Sequence, residues 1–183
     1  MSKKAMFVWC VGLGLLDGIY CILCSYLPHI QNYMWIGFIS LPIYFCGGAK
    51  LEEMPKYFCC AASGIFWGGL TLVVLDIGFI SNIHLNMLVF VTIVVCIACF
   101  VHLGVLTENV WKGLFSSCPM MFGGFAAIFS QGLAEWFWVL VTLTLGLIFG
   151  CIMASISTPI TYTHLRAHVA IGKSVFLLLI EEE

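Results

Sequence analysis

Charge is what this sequence has least of. Its seven basic and nine acidic residues make up 9% of 183 positions, whereas soluble domains carry about 25%. So sparse a set cannot form a hydrated surface, which excludes a soluble globular protein. The formal net charge of −2 leaves no basic excess, which excludes the electropositive face a nucleic-acid partner requires. The chain also lacks an HExxH pair, a phosphate loop and a nucleophile elbow, so Ser and His residues have no recognisable catalytic setting. No enzyme activity and no cofactor are expected.

Apolar side chains are abundant, at 62% with a mean hydropathy of +1.11. A chain of this composition belongs in a lipid bilayer. Lys3 and Lys4 precede the first apolar run. That run is too long for a signal-peptide core and is followed by no small-residue cleavage site, so it reads as a retained helix. Nearly all of the ten cysteines lie inside apolar runs, where Cys behaves as a small hydrophobe and needs no oxidising compartment.

A spanning helix needs about 20 mainly apolar residues. Six segments qualify, over 5–27, 33–48, 57–79, 85–106, 114–129 and 136–156. The second and fifth are short and contain Pro and Gly. The fold class expected is therefore all-α, a polytopic membrane protein of about six transmembrane helices. Basic residues favour cytoplasmic loops. With Lys3 and Lys4 inside, Lys50, Lys56, Lys112, Arg166 and Lys173 all fall on that same side after even numbers of crossings. Both termini are then cytoplasmic. Residues 1–157 form the transmembrane domain, and 158–183 form a cytoplasmic or interfacial tail that begins at Thr158-Pro159.

One pattern occurs twice. Phe38, Phe45, Gly48, Leu51, Glu53, Gly64 and Gly68 align with Phe122, Phe129, Gly132, Leu133, Glu135, Gly146 and Gly150 once Ala49 and Lys50 are treated as a gap. Cys21-Ile22-Leu23-Cys24 is likewise similar to Cys96-Ile97-Ala98-Cys99. Each unit, 5–79 and 85–157, contains three crossings, so the second would be inverted. Inverted repeats recur in transporters, with the solute path near the repeat interface.

Trp35-x-Gly37-Phe38 with Tyr44-Phe45, Pro119-x-x-Phe122-x-Gly124 with Phe129 and Gly132, and Leu145 to Gly150 together resemble a family of bacterial inner-membrane proteins typified by YcdZ. The resemblance runs from about Gly12 to Ala154. It implies a multi-span protein of the bacterial inner membrane. The family is a domain of unknown function, so the resemblance implies no substrate and no functional residue.

The candidate pore or substrate-lining residues are Asp17, the acid deepest in a predicted span, and Phe38, Pro42, Tyr44 and Phe45 of the first short segment. Pro119, Phe122, Phe125 and Phe129 of the second complete the set. An intramembrane carboxylate marks a functional site by default; its structural alternative is a hydrogen-bonded Asp facing the bundle. Interrupted helices in matching positions point to a binding site; the alternative is simple bundle packing. Gly64/Gly68 and Gly146/Gly150 are small-xxx-small pairs expected to bring helices three and six together, or into equivalent contacts about a pseudo-two-fold axis. Gly14-x3-Gly18 is expected to form a third such face. Asp76 and His102 lie towards helix ends, where solvation is easier. Glu53 and Glu135 read as helix caps at the positive ends of their dipoles, with pore-mouth selectivity as the alternative. Cys21/Cys24 and Cys96/Cys99 have metal-ligand spacing, but thiolates in lipid are unfavourable and no metal is expected.

The expected function is a small-solute channel or transporter, for a neutral polar solute of urea-like size, working as a homo-oligomer. The alternative is a membrane scaffold, sensor or subunit that transports nothing.

Overall fold

The computed structural model describes residues 3–106, 113–116 and 118–155. The expected tail, 158–183, and the loop carrying Lys112 lie outside the described residues. Among those described, the chain is all-helical, with no strand.

Six helices form where the apolar runs predict them. They are α1 (Lys3–Tyr26), α2 (Met34–Cys46), α3 (Met54–Ile77), α4 (Ile83–Phe100), α5 (Cys118–Gln131) and α6 (136–155). Local chemistry sets several ends. Asn82 caps α4 by accepting from the His84 and Leu85 amides, and Pro55 occupies the first turn of α3, where its missing N–H costs no hydrogen bond. Leu51–Glu53 and Leu133–Glu135 form matching 3-10 turns that lead into α3 and α6. Gly48 and Gly132, matched in the repeat, turn the chain out of α2 and α5 at φ of +95° and +93°, a region that disfavours any side chain with a Cβ.

Three segments are long and apolar enough to cross a membrane: Leu51–Ile77, Ile83–Val105 and Leu133–Ser155. The protein is thus membrane-embedded. Helices α2 and α5 have 13 and 14 residues. At 1.5 Å per residue each is about 20 Å long, well short of a ~30 Å hydrocarbon layer.

The core lies among α2, α3, α5 and α6. Ile36 and Tyr44 meet Tyr57, Cys60, Ala61 and Ile65, with Met120, Ala127, Ile128, Val139, Leu143 and Leu147 from the second half. A smaller cluster seats Tyr20 and Cys24 of α1 against Leu41, Phe149 and Met153. Helix α4 is peripheral: 17% of its most apolar stretch is buried, against 39% for α3 and 44% for α6.

The small-xxx-small pairs do not bring α3 onto α6. Each long helix packs on the short helix of the other unit. A Cβ on Gly64 would collide with the Met121 carbonyl, and one on Gly146 with the Gly37 carbonyl. A Cβ on Gly68 would strike Ile128 and the Phe125 carbonyl, and one on Gly150 would press on Tyr44 and the Leu41 carbonyl. Met121, Phe125 and Ile128 are the repeat counterparts of Gly37, Leu41 and Tyr44, so the two joints use matching positions throughout. Gly12, Gly14 and Gly18 differ: a Cβ on any of them meets nothing within 4 Å. The expected third face is therefore open, because α1 turns these glycines away from the core and packs through Leu13, Leu16, Tyr20 and Cys24.

Candidate functional site

The candidate residues come from α1, α2 and α5, and the structure distributes them over several places. Pro42 and Pro119 share a cleft. With Ile43, Cys46, Gly47, Lys56, Tyr57 and Ser116 they line an open cleft of about 600 Å³ between the two short helices. This is the most mixed lining of the clefts described here: a lysine, a phenol and a hydroxyl among apolar groups.

Phe125 and Phe129 lie elsewhere. Their rings stack at 5.8 Å and line a second cleft against His84, Met87, Leu88, Val91 and Thr92 of α4. Phe38 packs edge-on against Tyr20, ring centres 5.2 Å apart, and Phe122 is exposed. Phe45 is half-buried against the α1 cluster. The rings of the two short segments therefore do not line one shared path. The reason is geometric: the prolines border the cleft between α2 and α5, whereas Phe38 and Phe45 pack towards α1, Phe125 and Phe129 towards α4, and Phe122 is exposed. A third, almost wholly apolar groove runs between α3 and α6 along Ile65, Phe66, Leu70, Trp136 and Leu140.

Tyr44 is fully buried. Its hydroxyl donates to the Lys50 carbonyl at 2.8 Å, and its ring meets Tyr57 edge-on at 4.9 Å. It ties down the turn that begins at Gly47 instead of facing a solute. Asp17 lies on the packed side of α1, four residues after Leu13 and three before Tyr20, spacings that share a helix face. One of its carboxylate oxygens is buried and makes no hydrogen bond among the described residues. Because an ionised oxygen left that way is strongly unfavourable, Asp17 is the described acid most in need of an external partner.

Ser40, also fully buried, donates to the Leu143 carbonyl at 2.7 Å. Its repeat counterpart, Gly124, lies against the Ala61 carbonyl, the counterpart of Leu143. One joint thus closes on bare backbone and the other through a hydroxyl.

Glu53 stands at the N-cap of α3, yet its side chain makes no capping hydrogen bond. The preceding 3-10 turn holds it in a helical conformation, φ −91° and ψ −8°, unlike the extended geometry a side-chain cap uses. Glu135 instead lies beside Tyr33, in the turn before α2; its carboxylate, as hydrogen-bond acceptor, and then burial push the Tyr33 phenol above its ordinary range.

The two Cys-x2-Cys pairs do not converge. Cys24 is buried under α1 and Cys96 is exposed on α4, and among the described residues no three His, Cys, Asp or Glu side chains lie close enough to share a metal ion.

One site has no local sequence signal. His102 is almost completely buried, contrary to the solvation expected near a helix end. The chain widens into a π-helical turn over Val101–Val105, a feature frequent at functional sites. The ring meets Ser63 of α3 at 2.5 Å and the Phe115 carbonyl at 3.0 Å. Its partners are distant in sequence, so only an intramembrane His within 85–106 could have drawn attention to it.

Neither the curated proteins nor the solved structures contain a match to this chain. One family model does match, over residues 10–158, and its description is "Protein of unknown function (DUF1097)". That span contains all six helices but for the first residues of α1, so the chain belongs to the DUF1097 family.

Proposed function

We propose that this protein is a small-solute channel or transporter built from two inverted three-helix units. The observation that carries this reading is the matched register of the two joints, in which Gly64, Gly68, Met121 and Phe125 recur as Gly146, Gly150, Gly37 and Leu41. Units joined in this way around a pair of short helices are a common transporter plan. The solute approaches through the Pro42–Pro119 cleft, where Lys56, Tyr57 and Ser116 supply polar groups. Asp17 then supplies the one buried carboxylate oxygen without a hydrogen-bond partner among the described residues. So few charges suit a small neutral polar solute such as a urea-like amide. The resemblance to the YcdZ-like family and the one-sided basic residues support a bacterial inner membrane with both termini cytoplasmic. The exposed apolar faces of α1 and α4, with Leu15, Ile19, Leu88 and Phe100, suit lipid or neighbouring copies in a homo-oligomer. No catalytic activity is proposed.

Flux of labelled urea, small amides, ions and protons into proteoliposomes tests the proposal. Amide flux is expected, with a loss of about tenfold in Asp17→Asn if the carboxylate contributes a charge-assisted hydrogen bond of ordinary strength. Absence of flux for every solute class would remove the transport reading.

A second reading rests on the tightness of the same joints. Backbones touch where a path between the units would run, and the clefts described above open outward. That geometry suits a scaffold, sensor or subunit that transports nothing, and the same flux measurement separates the two.

A further inference from the structure

The segment 113–116 is irregular, yet it lies alongside a membrane span. The Leu114 carbonyl accepts from the Cys60 thiol at 3.5 Å, and the Phe115 carbonyl bonds the His102 ring. Cys60 and Ser63 are six and nine residues beyond Met54, the first residue of α3, so these contacts fall about 9–14 Å along that helix. Irregular backbone at such depth persists only where protein groups satisfy it. Two consecutive carbonyls are satisfied here by two side chains.

The direction of the hydrogen bonds follows from the chemistry. A carbonyl oxygen only accepts, so His102 Nδ1 carries the proton and donates to Phe115. In the neutral ring Nε2 is then an acceptor, and Ser63 donates its hydroxyl proton to it. The Phe115 ring lies edge-on to the imidazole, 5.9 Å between centres. The π-helical turn places His102 where α3 and the segment can both be reached. From Phe115 the chain passes directly to Ser116 and then Pro119, both in the wall of the Pro42–Pro119 cleft.

The first unit solves the same problem with a different group. The Tyr20 hydroxyl of α1 donates to the Met34 carbonyl at the start of α2, at 2.9 Å. The first unit thus holds the start of its short helix, and the second the segment leading to its own, each with one buried polar side chain.

We propose that Ser63, His102 and the Phe115 carbonyl form a latch that fixes the 113–116 segment and makes His102 the positioning residue for one wall of the Pro42–Pro119 cleft. The functional meaning of this latch rests on reading that cleft as the solute approach; its geometry does not. Loss of the latch removes the imidazole from the Phe115 carbonyl and lets Ser116 move away from Cys46 across the cleft.

The test uses the full chain in liposomes with Ser116→Cys introduced opposite the native Cys46. A short bis-maleimide joins the two, and mass spectrometry of the linked peptides separates this product from those of the other cysteines. His102→Ala is expected to lower the Cys46–116 cross-linking rate about fivefold, the scale set by loss of one hydrogen bond. His102→Gln, whose amide offers one donor and one acceptor, restores most of it, and Ser63→Ala falls between. A folded His102→Ala protein that cross-links at the parent rate would overturn the proposal, as would equal losses in the Ala and Gln variants. If His102→Ala does not fold, Ser63→Ala decides: the parent rate there overturns the latch. Flux in the same liposomes is read separately. A latch-dependent cross-link without flux removes only the transport reading, and flux with an unchanged cross-link removes only the latch.

Discussion

The joint of α3 on α5 and the joint of α6 on α2 share the glycines of their long helices but differ on the short-helix side, and the difference between Gly124 and Ser40 shows how close packing is reached in this chain. In the first joint Gly64, Gly68 and Gly124 stand where a Cβ would collide with the partner helix, and Gly124 faces the Ala61 carbonyl directly. In the second, Gly146 and Gly150 play the same part, but Ser40 stands in place of Gly124 and bonds the Leu143 carbonyl. Without a hydrophobic drive between helices in lipid, association depends on van der Waals contact and interhelical hydrogen bonds. The first joint relies on contact alone. The second adds a hydrogen bond to contact.

The strongest way to break the comparison is to separate each joint in turn. Gly64→Ala and Gly146→Ala place a Cβ against backbone that cannot rotate away, so each is expected to destabilise the protein by about 3 kcal/mol, the upper range for overpacking. Denaturant titration in mixed micelles measures it. Equal losses are expected if the joints are equivalent; a tolerated Gly146→Ala beside a damaging Gly64→Ala would end the equivalence.

A smaller effect comes from exchanging the differing residue. Gly124→Ser forces a Cβ into the Ala61 carbonyl and is expected to cost about 2 kcal/mol. Ser40→Gly loses the interhelical hydrogen bond to Leu143, the weaker branch to the Gly37 carbonyl and some helix propensity, about 1–1.5 kcal/mol in all. If Gly124→Ser proved neutral, the first joint would have room for a hydroxyl and the contrast would be one of composition only.

The smallest effect sets the baseline. Gly14→Ala on α1 meets open space, so its stability is expected to be unchanged or raised by up to about 1 kcal/mol through helix propensity. Destabilisation there would show that α1 packs through that face after all, against lipid-side partners in an oligomer.

The pairing of Gly64 with Gly146 and of Phe38 with Phe122 was legible in the linear pattern because spacing survives in one dimension. Which helix each glycine would touch was not. A small-xxx-small pair announces close approach without naming a partner, so Gly64 and Gly146 admitted each other as readily as Met121 and Gly37. The candidate site was legible in part. Pro42 and Pro119 border one cleft, although the repeat pairs neither with the other. Tyr44 did not reach a cleft, because its hydroxyl found the Lys50 carbonyl six residues away. Asp17 was visible as an acid in an apolar run, and the structure adds that one of its oxygens lacks a hydrogen-bond partner among the described residues.

Composition and periodicity by themselves determined an all-helical membrane protein of six segments, with two short ones at equivalent places, because burial in lipid and helix length are properties of a continuous stretch of chain. Only the tertiary structure decided that the long helix of one unit grips the short helix of the other, and that Ser63, His102 and Phe115 share a hydrogen-bonded chain. Those contacts join residues far apart in sequence, and their geometry depends on the rotation of each helix about its own axis, which helix α1 shows to be set by packing: its conspicuous glycines turn outward while Tyr20 turns in.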